Sequence, residues 1–259
     1  MLASELVEVE AQRDVYAAGP GLVREIGSVT CLALPALPKI AAFNHAIGVV
    51  PETTEDALDE ICRFYEELSV EYMVSPAGPG PEPRLEARGL APGYAWAKFT
   101  RRPEPPATAE TDLHVERVAP VRAAEFGRVV TSAFGLPDRL ASWSAALVGR
   151  AGWTCYLTLA GEEPAGAAAL FVSDGLAWLG LGCTLPQFRR RGSQSALFAA
   201  RIEDAREQGA ELLVTETGVP AEGRPSNSYR NILRAGFEIA YVRPNYQPRG
   251  SASQADAPE

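Results

Sequence analysis

The sequence predicts an α/β (α+β) protein in two parts, and three observations carry that prediction. An apolar stretch, Leu176–Thr184, runs into three arginines and a glycine that open a helix. That helix leads to a second apolar stretch, giving the strand, helix, strand succession of a parallel crossover. The same order of segments recurs, without the arginines, between residues 42 and 99.

The C-terminal part can be laid out from residue 112. Leu113–Val118 alternates as a first strand, and Pro120–Phe134 reads as a helix whose proline suits its first turn. Pro137–Leu147 is a second, short helix carrying Trp143. Trp153–Leu159 and Ala165–Val172 flank the turn at Gly161–Pro164 and read as an antiparallel hairpin. In the helix after Leu176–Thr184, residues Phe198, Ile202 and Ala205 share one face, and the helix stops near Gly209. Glu211–Thr217 has strand composition, and a turn-rich loop follows from Gly218 to Pro225. In Ser226–Phe237, residues Tyr229, Ile232, Leu233 and Gly236 fall at i, i+3, i+4 and i+7. Ser226 or Asn227 caps this helix and Gly236 ends it. Glu238–Val242 is the closing strand.

The N-terminal part gives Ala42–Pro51 as a strand and then a helix with Leu58, Ile61, Cys62 and Tyr65 on one face. Val70–Val74 is the next strand, Pro81–Arg88 a short helix and Tyr94–Phe99 a last strand. Between the parts lies a proline-rich polar linker, residues 104–111, expected to be a semi-rigid spacer. The domains are thus 1–103 and 112–247, and the small, polar tail 248–259 is expected to be disordered.

The chemistry concentrates where Arg189, Arg190, Arg191 and Gly192 open the helix. A helix start presents unpaired N–H groups and partial positive charge, which suit a phosphate. Gly192 is expected to let the ligand approach the backbone, and the arginines to add charge-assisted hydrogen bonds. The competing reading is an arginine run on a solvated loop before an ordinary amphipathic helix.

Arg189-x-x-Gly192-x-Gln194 resembles the coenzyme A loop of the GCN5-related N-acetyltransferases, the GNAT superfamily, which reads Arg/Gln-x-x-Gly-x-Gly/Ala. Gln194 stands where the family has a small residue. Arg234-Ala-Gly-Phe237 is similar to the end of the family's fourth helix, and the segments follow family order from residue 112 to 246. The resemblance implies a GNAT-type mixed, mostly antiparallel sheet with splayed central parallel strands. Before it comes a smaller, degenerate GNAT-like domain or, alternatively, an unrelated α/β domain. There Glu52–Asp56 replaces the arginines, with Thr53 and Asp56 spaced as a capping box. Carboxylates at that helix start repel a pyrophosphate, so one coenzyme site per chain is expected.

The implied activity is an acetyl-CoA-dependent N-acetyltransferase acting on a small-molecule amine by direct attack on the thioester. The alternative is a non-catalytic acyl-CoA-binding or scaffold protein. Acetyl-CoA is expected on Gly182, Cys183, Thr184, Arg189, Arg190, Arg191, Gly192, Ser193, Gln194, Ser195 and Asn227. A backbone N–H of Gly182–Thr184 suits an oxyanion, whereas Cys183 reads as an inert buried thiol. Glu216 is the candidate base, or else a surface carboxylate at a strand end. Because Ile232 occupies the family's tyrosine position, the acid is displaced to Tyr229, with Tyr241 and Tyr246 beyond, is supplied by water or is absent. Tyr229 also fits a packed core tyrosine. The acceptor is expected between the two parts near Asn44, His45 and Trp143, although His45 fits equally a hydrogen-bonded interior residue. His114 reads as structural.

A net charge of −9 disfavours nucleic acid. No apolar run reaches the roughly 18 residues of a membrane span, and the acidic first residues do not read as a signal peptide. Cys31, Cys62, Cys155 and Cys183 lack metal-ligand spacing, so no metal site and a cytoplasmic setting are expected. Monomer and homodimer both remain open.

Overall fold

The N-terminal helix is one that its sequence disguises. The computed structural model, which describes residues 3–220 and 226–250, opens with helix α1 (Ala3–Ala17). Glu5 and Glu8 of α1 are both buried, so acidic residues sit where an apolar stripe would normally announce a helix. Strands β1 (Leu22–Ile26) and β2 (Val29–Ala33) form an antiparallel hairpin that closes at Ile26 and Val29. The two-residue Gly27-Ser28 loop is a hairpin signal, and Gly27 takes a φ of +60°.

Strand β3 (His45–Val49) is shorter than expected because Ala41–Phe43 forms a 3₁₀ turn first. Helix α2 (Glu55–Glu67) is capped by Thr54, whose hydroxyl accepts from the Ala57 N–H at 3.2 Å. Thr53 is therefore not the cap, and its hydroxyl instead accepts from the Val50 N–H at 3.0 Å. Strand β4 (Met73–Pro76) starts three residues later than Val70. Val70 and Glu71 spend their N–H groups on Tyr65 and Pro38 carbonyls, ending α2 instead of starting a strand. Helix α3 (Glu82–Glu86) and the long strand β5 (Leu90–Arg101) complete this stretch.

Beyond residue 112 the elements follow the expected order. They are β6 (His114–Arg117), α4 (Ala123–Ala133), α5 (Ala141–Ala145), β7 (Trp153–Ala160), β8 (Glu163–Ser173) and β9 (Leu176–Thr184). Then come α6 (Ser193–Glu207), β10 (Leu212–Gly218), α7 (Asn227–Arg234) and β11 (Glu238–Pro248). The fold is mixed α/β: β3–β4 and β9–β10 are parallel, whereas β1–β2, β2–β3, β4–β11, β6–β7, β7–β8 and β8–β9 are antiparallel.

The described residues divide into two units, the first 3–98, 217–220 and 241–250, the second 99–216 and 226–240. In the first unit the strand order is β1-β2-β3-β4-β11-β5, with Leu58, Ile61 and Tyr65 of α2 in one core cluster with Val29, Cys31 and Val74. Tyr246 of β11 belongs to that cluster, so the end of the sequence completes the core of its beginning. The second unit orders its strands β10-β9-β8-β7-β6.

Two expectations change at the ends of the second part. Residues 248–250 are not a loose tail: Pro248 ends β11, and the Arg249 N–H donates to the Gly89 carbonyl at 3.1 Å. Residues 251–259 lie outside the described residues, as do 221–225 of the loop before α7. The proline-rich segment is also not a free spacer. Arg101 donates to the carbonyls of Arg102, Glu104 and Pro105, and Thr111 donates to the Arg191 carbonyl at 2.5 Å.

Candidate functional site

The start of α6 is open in the chemical sense. Gly192, its N-cap residue, has a φ of +81° and supplies no side chain to the free amides, whereas α2 and α7 are capped by Thr54 and Ser226. Arg190 also takes a left-handed conformation, φ +64°, and is exposed. Ser193, Gln194 and Ser195 therefore begin the helix with N–H groups that no capping side chain satisfies.

Gly192 is needed for a reason different from ligand approach. A Cβ there would collide with the Glu110 carbonyl oxygen and lie 2.9 Å from Thr111 Cβ. The end of the proline-rich segment thus packs on the glycine and sets the loop. Arg191 joins that support through an ion pair with Asp112, which holds the carboxyl below its usual range, and lies over the Phe188 ring at 5.6 Å. Arg189 and Arg190 lie on the exposed side of the loop.

Side chains behind the loop are spent on the fold. Ser193 is buried, and its hydroxyl bonds Thr158 at 2.9 Å and accepts from Thr184 at 3.1 Å. Gln194 donates to the Thr184 hydroxyl at 3.2 Å. The Ser193 and Thr184 hydroxyls are thus engaged within the fold. They pin the start of α6 to β7 and β9, and Gln194, larger than the family's residue, extends toward β9.

Two irregularities interrupt the pairing of β9. The parallel ladder with β10 ends at Val214↔Trp178, so the strands part beyond that pair. The Thr215 hydroxyl still reaches across, to the Leu179 carbonyl at 2.7 Å. On its other edge β9 carries a bulge: Leu181 and Gly182 stand opposite the single residue Ala168 of β8. Leu181 takes a φ of +53°, a conformation that costs a side-chain-bearing residue about 1–2 kcal/mol. The sequence has no sign of this bulge beyond the glycines that flank Leu181. Cys183 beyond it is buried and pushed up to about 12 by burial, so it remains a thiol and is no nucleophile.

Glu216 is half-buried on β10, two residues past the last pair with β9. Tyr229 packs edge-on against Phe99, ring centroids 5.2 Å apart, and its hydroxyl has no hydrogen-bond partner among the described residues. Asn227 opens α7 and accepts from Arg230 at 2.8 Å, while Ser226 is the cap. Trp143 of α5 is buried. No group of His, Cys, Asp and Glu able to hold a metal occurs among the described residues.

In the first unit, the expected acceptor residues are interior ties. Asn44 is fully buried, accepts from the Leu34 N–H at 2.8 Å and donates to the Leu37 and Ile40 carbonyls at 3.1 and 3.2 Å. That uses both ends of its amide, which corrects its assignment to substrate. His45 is buried with Nε2 2.7 Å from Gln12 Oε1. Burial, reinforced by Arg243 and opposed by Glu8, lowers its pKa to about 3, so it is neutral at physiological pH. It fits the interior reading. As pH falls from about 6.5 toward 3 the unfolded chain takes up a proton that the folded chain refuses, so acid destabilises through this group. Urea unfolding at pH 7 and pH 4 checks this: the wild-type protein is expected to lose about 3 kcal/mol more stability than His45→Gln over this interval. Equal losses would refute it.

The corresponding helix start of the first unit is closed. Arg84 donates to the carbonyls of Pro51 and Thr53 and to Glu55 Oε1, and Arg88 bonds Glu55 Oε2 at 2.7 Å. These arginines hold the exposed Glu55 carboxyl below its usual range.

No family model and no curated protein matches this sequence. Solved structures do match. A GCN5-related N-acetyltransferase from Kribbella flavida aligns over 96% of this chain and 96% of its own, with a TM-score of 0.67 and 18% identity. Another, from Sphaerobacter thermophilus, aligns over 94% of this chain and 86% of its own, with a TM-score of 0.59 and 14% identity. A tandem GNAT protein from the clavulanic acid biosynthesis pathway aligns over 95% and 96%, with a TM-score of 0.57 and 16% identity.

The chain has the GCN5-related N-acetyltransferase fold. Because the alignments span nearly the whole chain, the likeness includes the first unit as well as the second. Among the described residues of this GNAT fold, the second unit joins an uncapped, arginine-flanked helix start to a bulged strand whose ladder with β10 ends early. The first unit has a capped helix start filled by its own ion pairs. No helix among the described residues is long and apolar enough to cross a membrane.

Proposed function

We propose that the chain is an acetyl-CoA-dependent N-acetyltransferase for a small-molecule amine, with one coenzyme site, in the second unit. The observation that carries this reading is β9: its ladder with β10 stops at Trp178, its bulge follows at Leu181–Gly182, and it leads into the uncapped start of α6. The pyrophosphate is assigned to the amides of Ser193–Ser195 with Arg189 and Arg190 on the exposed side. The acyl thioester is assigned to the open edge of β9 around Gly182 and Cys183.

In this mechanism the neutral amine attacks the thioester carbonyl, and an N–H of β9 takes the negative charge that grows on its oxygen. Collapse of the tetrahedral intermediate forms the C–N bond and breaks the C–S bond. Glu216 accepts the amine's proton, and Tyr229 supplies one to the departing coenzyme A thiolate. The acceptor amine makes its contacts elsewhere than Asn44, whose amide is fully used inside the first unit.

A second reading rests on Gln194, which lies against Thr184 where the resembled loop is small, and on Ile232 in place of a tyrosine. It makes the chain an acyl-CoA-binding protein without turnover. Calorimetric titration with acetyl-CoA, followed by thiol release with a panel of small amines, separates the two. The enzyme reading expects about one coenzyme per chain and thiol release with at least one amine. Binding without release would favour the second reading, and absence of binding would end both.

A further inference from the structure

Arg201 of α6 is one of the most completely buried side chains in the protein, with 1% of its surface exposed. No carboxylate pairs with it among the described residues. Its Nε donates to the Leu197 carbonyl, one helical turn back, at 3.0 Å, and the guanidinium lies over the Phe198 ring at 4.6 Å. From that anchorage Nη1 reaches two strand carbonyls, Gly180 at 3.3 Å and Ala169 at 3.5 Å. These residues face each other across β8 and β9 as the last pair before the bulge. Nη2 is buried and has no acceptor. It points at the bulge itself, because a methyl group placed on Gly182 would lie 3.5 Å from it.

A buried charge without a counter-ion is a poor device for stability, since apolar residues of similar volume fill such a space at lower cost. Its placement suggests what it does instead. The bulge puts a leucine, Leu181, in a left-handed conformation that ordinary pairing does not maintain, and the guanidinium grips the carbonyls of the pair beside it. The same bulge turns the β9 backbone out of register just where the thioester carbonyl is assigned. The remaining buried donor leaves a positive charge facing Gly182, where negative charge develops during acyl transfer.

We propose that Arg201 is the positioning residue of the acyl site, gripping Ala169 and Gly180 so that the Leu181–Gly182 bulge presents its amides to the thioester. The proposal rests on the acetyltransferase reading, and it acts through the backbone of β9 without contact between Arg201 and the substrate. It explains why a fully buried residue on the third turn of α6 is charged, which neither packing nor the phosphate loop requires.

The test compares wild-type protein with Arg201→Met, which keeps an unbranched apolar stem but loses the charge, and Arg201→Lys, which keeps the charge with a single reaching donor. Amide hydrogen exchange over residues 180–184, thermal unfolding, acetyl-CoA affinity and the kcat against KM split are measured on each. Arg201→Met is expected to melt at or above the wild-type temperature, while exchange at 180–184 quickens about tenfold or more. Its kcat with the best amine is expected to fall about 100-fold, more than its acetyl-CoA affinity, with Arg201→Lys recovering part of the loss. Wild-type exchange and kcat in Arg201→Met would overturn the proposal. So would equal destabilisation of both variants with kcat unchanged, which is the signature of a packing role. If the wild-type protein binds no acetyl-CoA the acetyltransferase reading fails, and the exchange comparison still decides whether Arg201 holds the bulge.

Discussion

Gly192→Asp is expected to abolish acetyl-CoA binding. Three effects act in the same direction. Gly192 has a φ of +81°, so any side chain there adopts the left-handed region, at about 1–2 kcal/mol. Its Cβ would also collide with the Glu110 carbonyl and crowd Thr111, so the loop must shift away from the segment that supports it. Finally, a carboxylate at the N-cap of α6 repels a pyrophosphate and can itself occupy the free N–H groups. Together these predict at least a roughly 100-fold loss of affinity, equivalent to about 2.7 kcal/mol. Gly192→Ala separates the contributions: it keeps the backbone and steric effects but adds no charge, and a loss of about tenfold is expected. Calorimetric titration of both variants, with thermal unfolding as a control for folding, is the measurement. Wild-type affinity in Gly192→Asp would remove the phosphate assignment from α6.

The largest expected effect on stability lies in the first unit. Glu8 of α1 is buried between Lys98 of β5, with which it forms an ion pair, and Arg243 of β11, whose Nη2 lies 3.3 Å from Glu8 Oε1. Glu5 extends the cluster by accepting from the Tyr241 hydroxyl at 2.7 Å, and Gln12 donates to Glu8 at 3.2 Å. Burial opposes ionisation of Glu8, but Arg243 and Lys98 outweigh it and hold the carboxyl below its usual range. Removing this one charge takes the ion-pair partner from buried Lys98 and leaves Arg243 with Glu5, whose Oε1 lies 3.9 Å from its Nη1. Glu8→Ala is therefore expected to destabilise the protein by about 3–5 kcal/mol, or roughly 10 °C or more in Tm. Glu8→Leu combined with Lys98→Met is expected to recover a large part of the loss, because an apolar pair carries no desolvation cost. Chemical denaturation of the three proteins decides the matter. A Glu8→Ala protein as stable as wild type would show that the cluster is hydrated and weak.

Glu8 also shows why part of the fold was illegible. Helix α1 places Glu5 and Glu8 on its inner face, so its pattern reads as a solvated segment until Lys98 and Arg243 are brought to it from distant strands. Hairpin β1–β2 did carry a signal, the Gly27-Ser28 pair between apolar residues. By contrast α6, β10 and α7 follow directly from apolar periodicity, glycine stops and the Ser226 cap. The late start of β4 was hidden because Val70 and Glu71 have strand composition but give their N–H groups to Tyr65 and Pro38.

The candidate site divides in the same way. The arginine run, Gly192, the order of elements and the acidic start of α2 are local properties, and the sequence alone was enough to place an uncapped, arginine-flanked helix start in the second half and a capped, acidic one in the first. Contacts between residues far apart in sequence decided the rest. Glu110 and Thr111 made Gly192 obligatory from behind, Ser193 and Thr184 turned inward, and Asn44 and His45 became interior ties. Leu181 took its left-handed turn beside two carbonyls held by Arg201, whose buried charge looks from the sequence like any exposed helix arginine. Periodicity and capping depend on neighbours a few residues apart, which a sequence displays. Burial of a charge and the register of a bulge depend on partners that only the folded chain brings together.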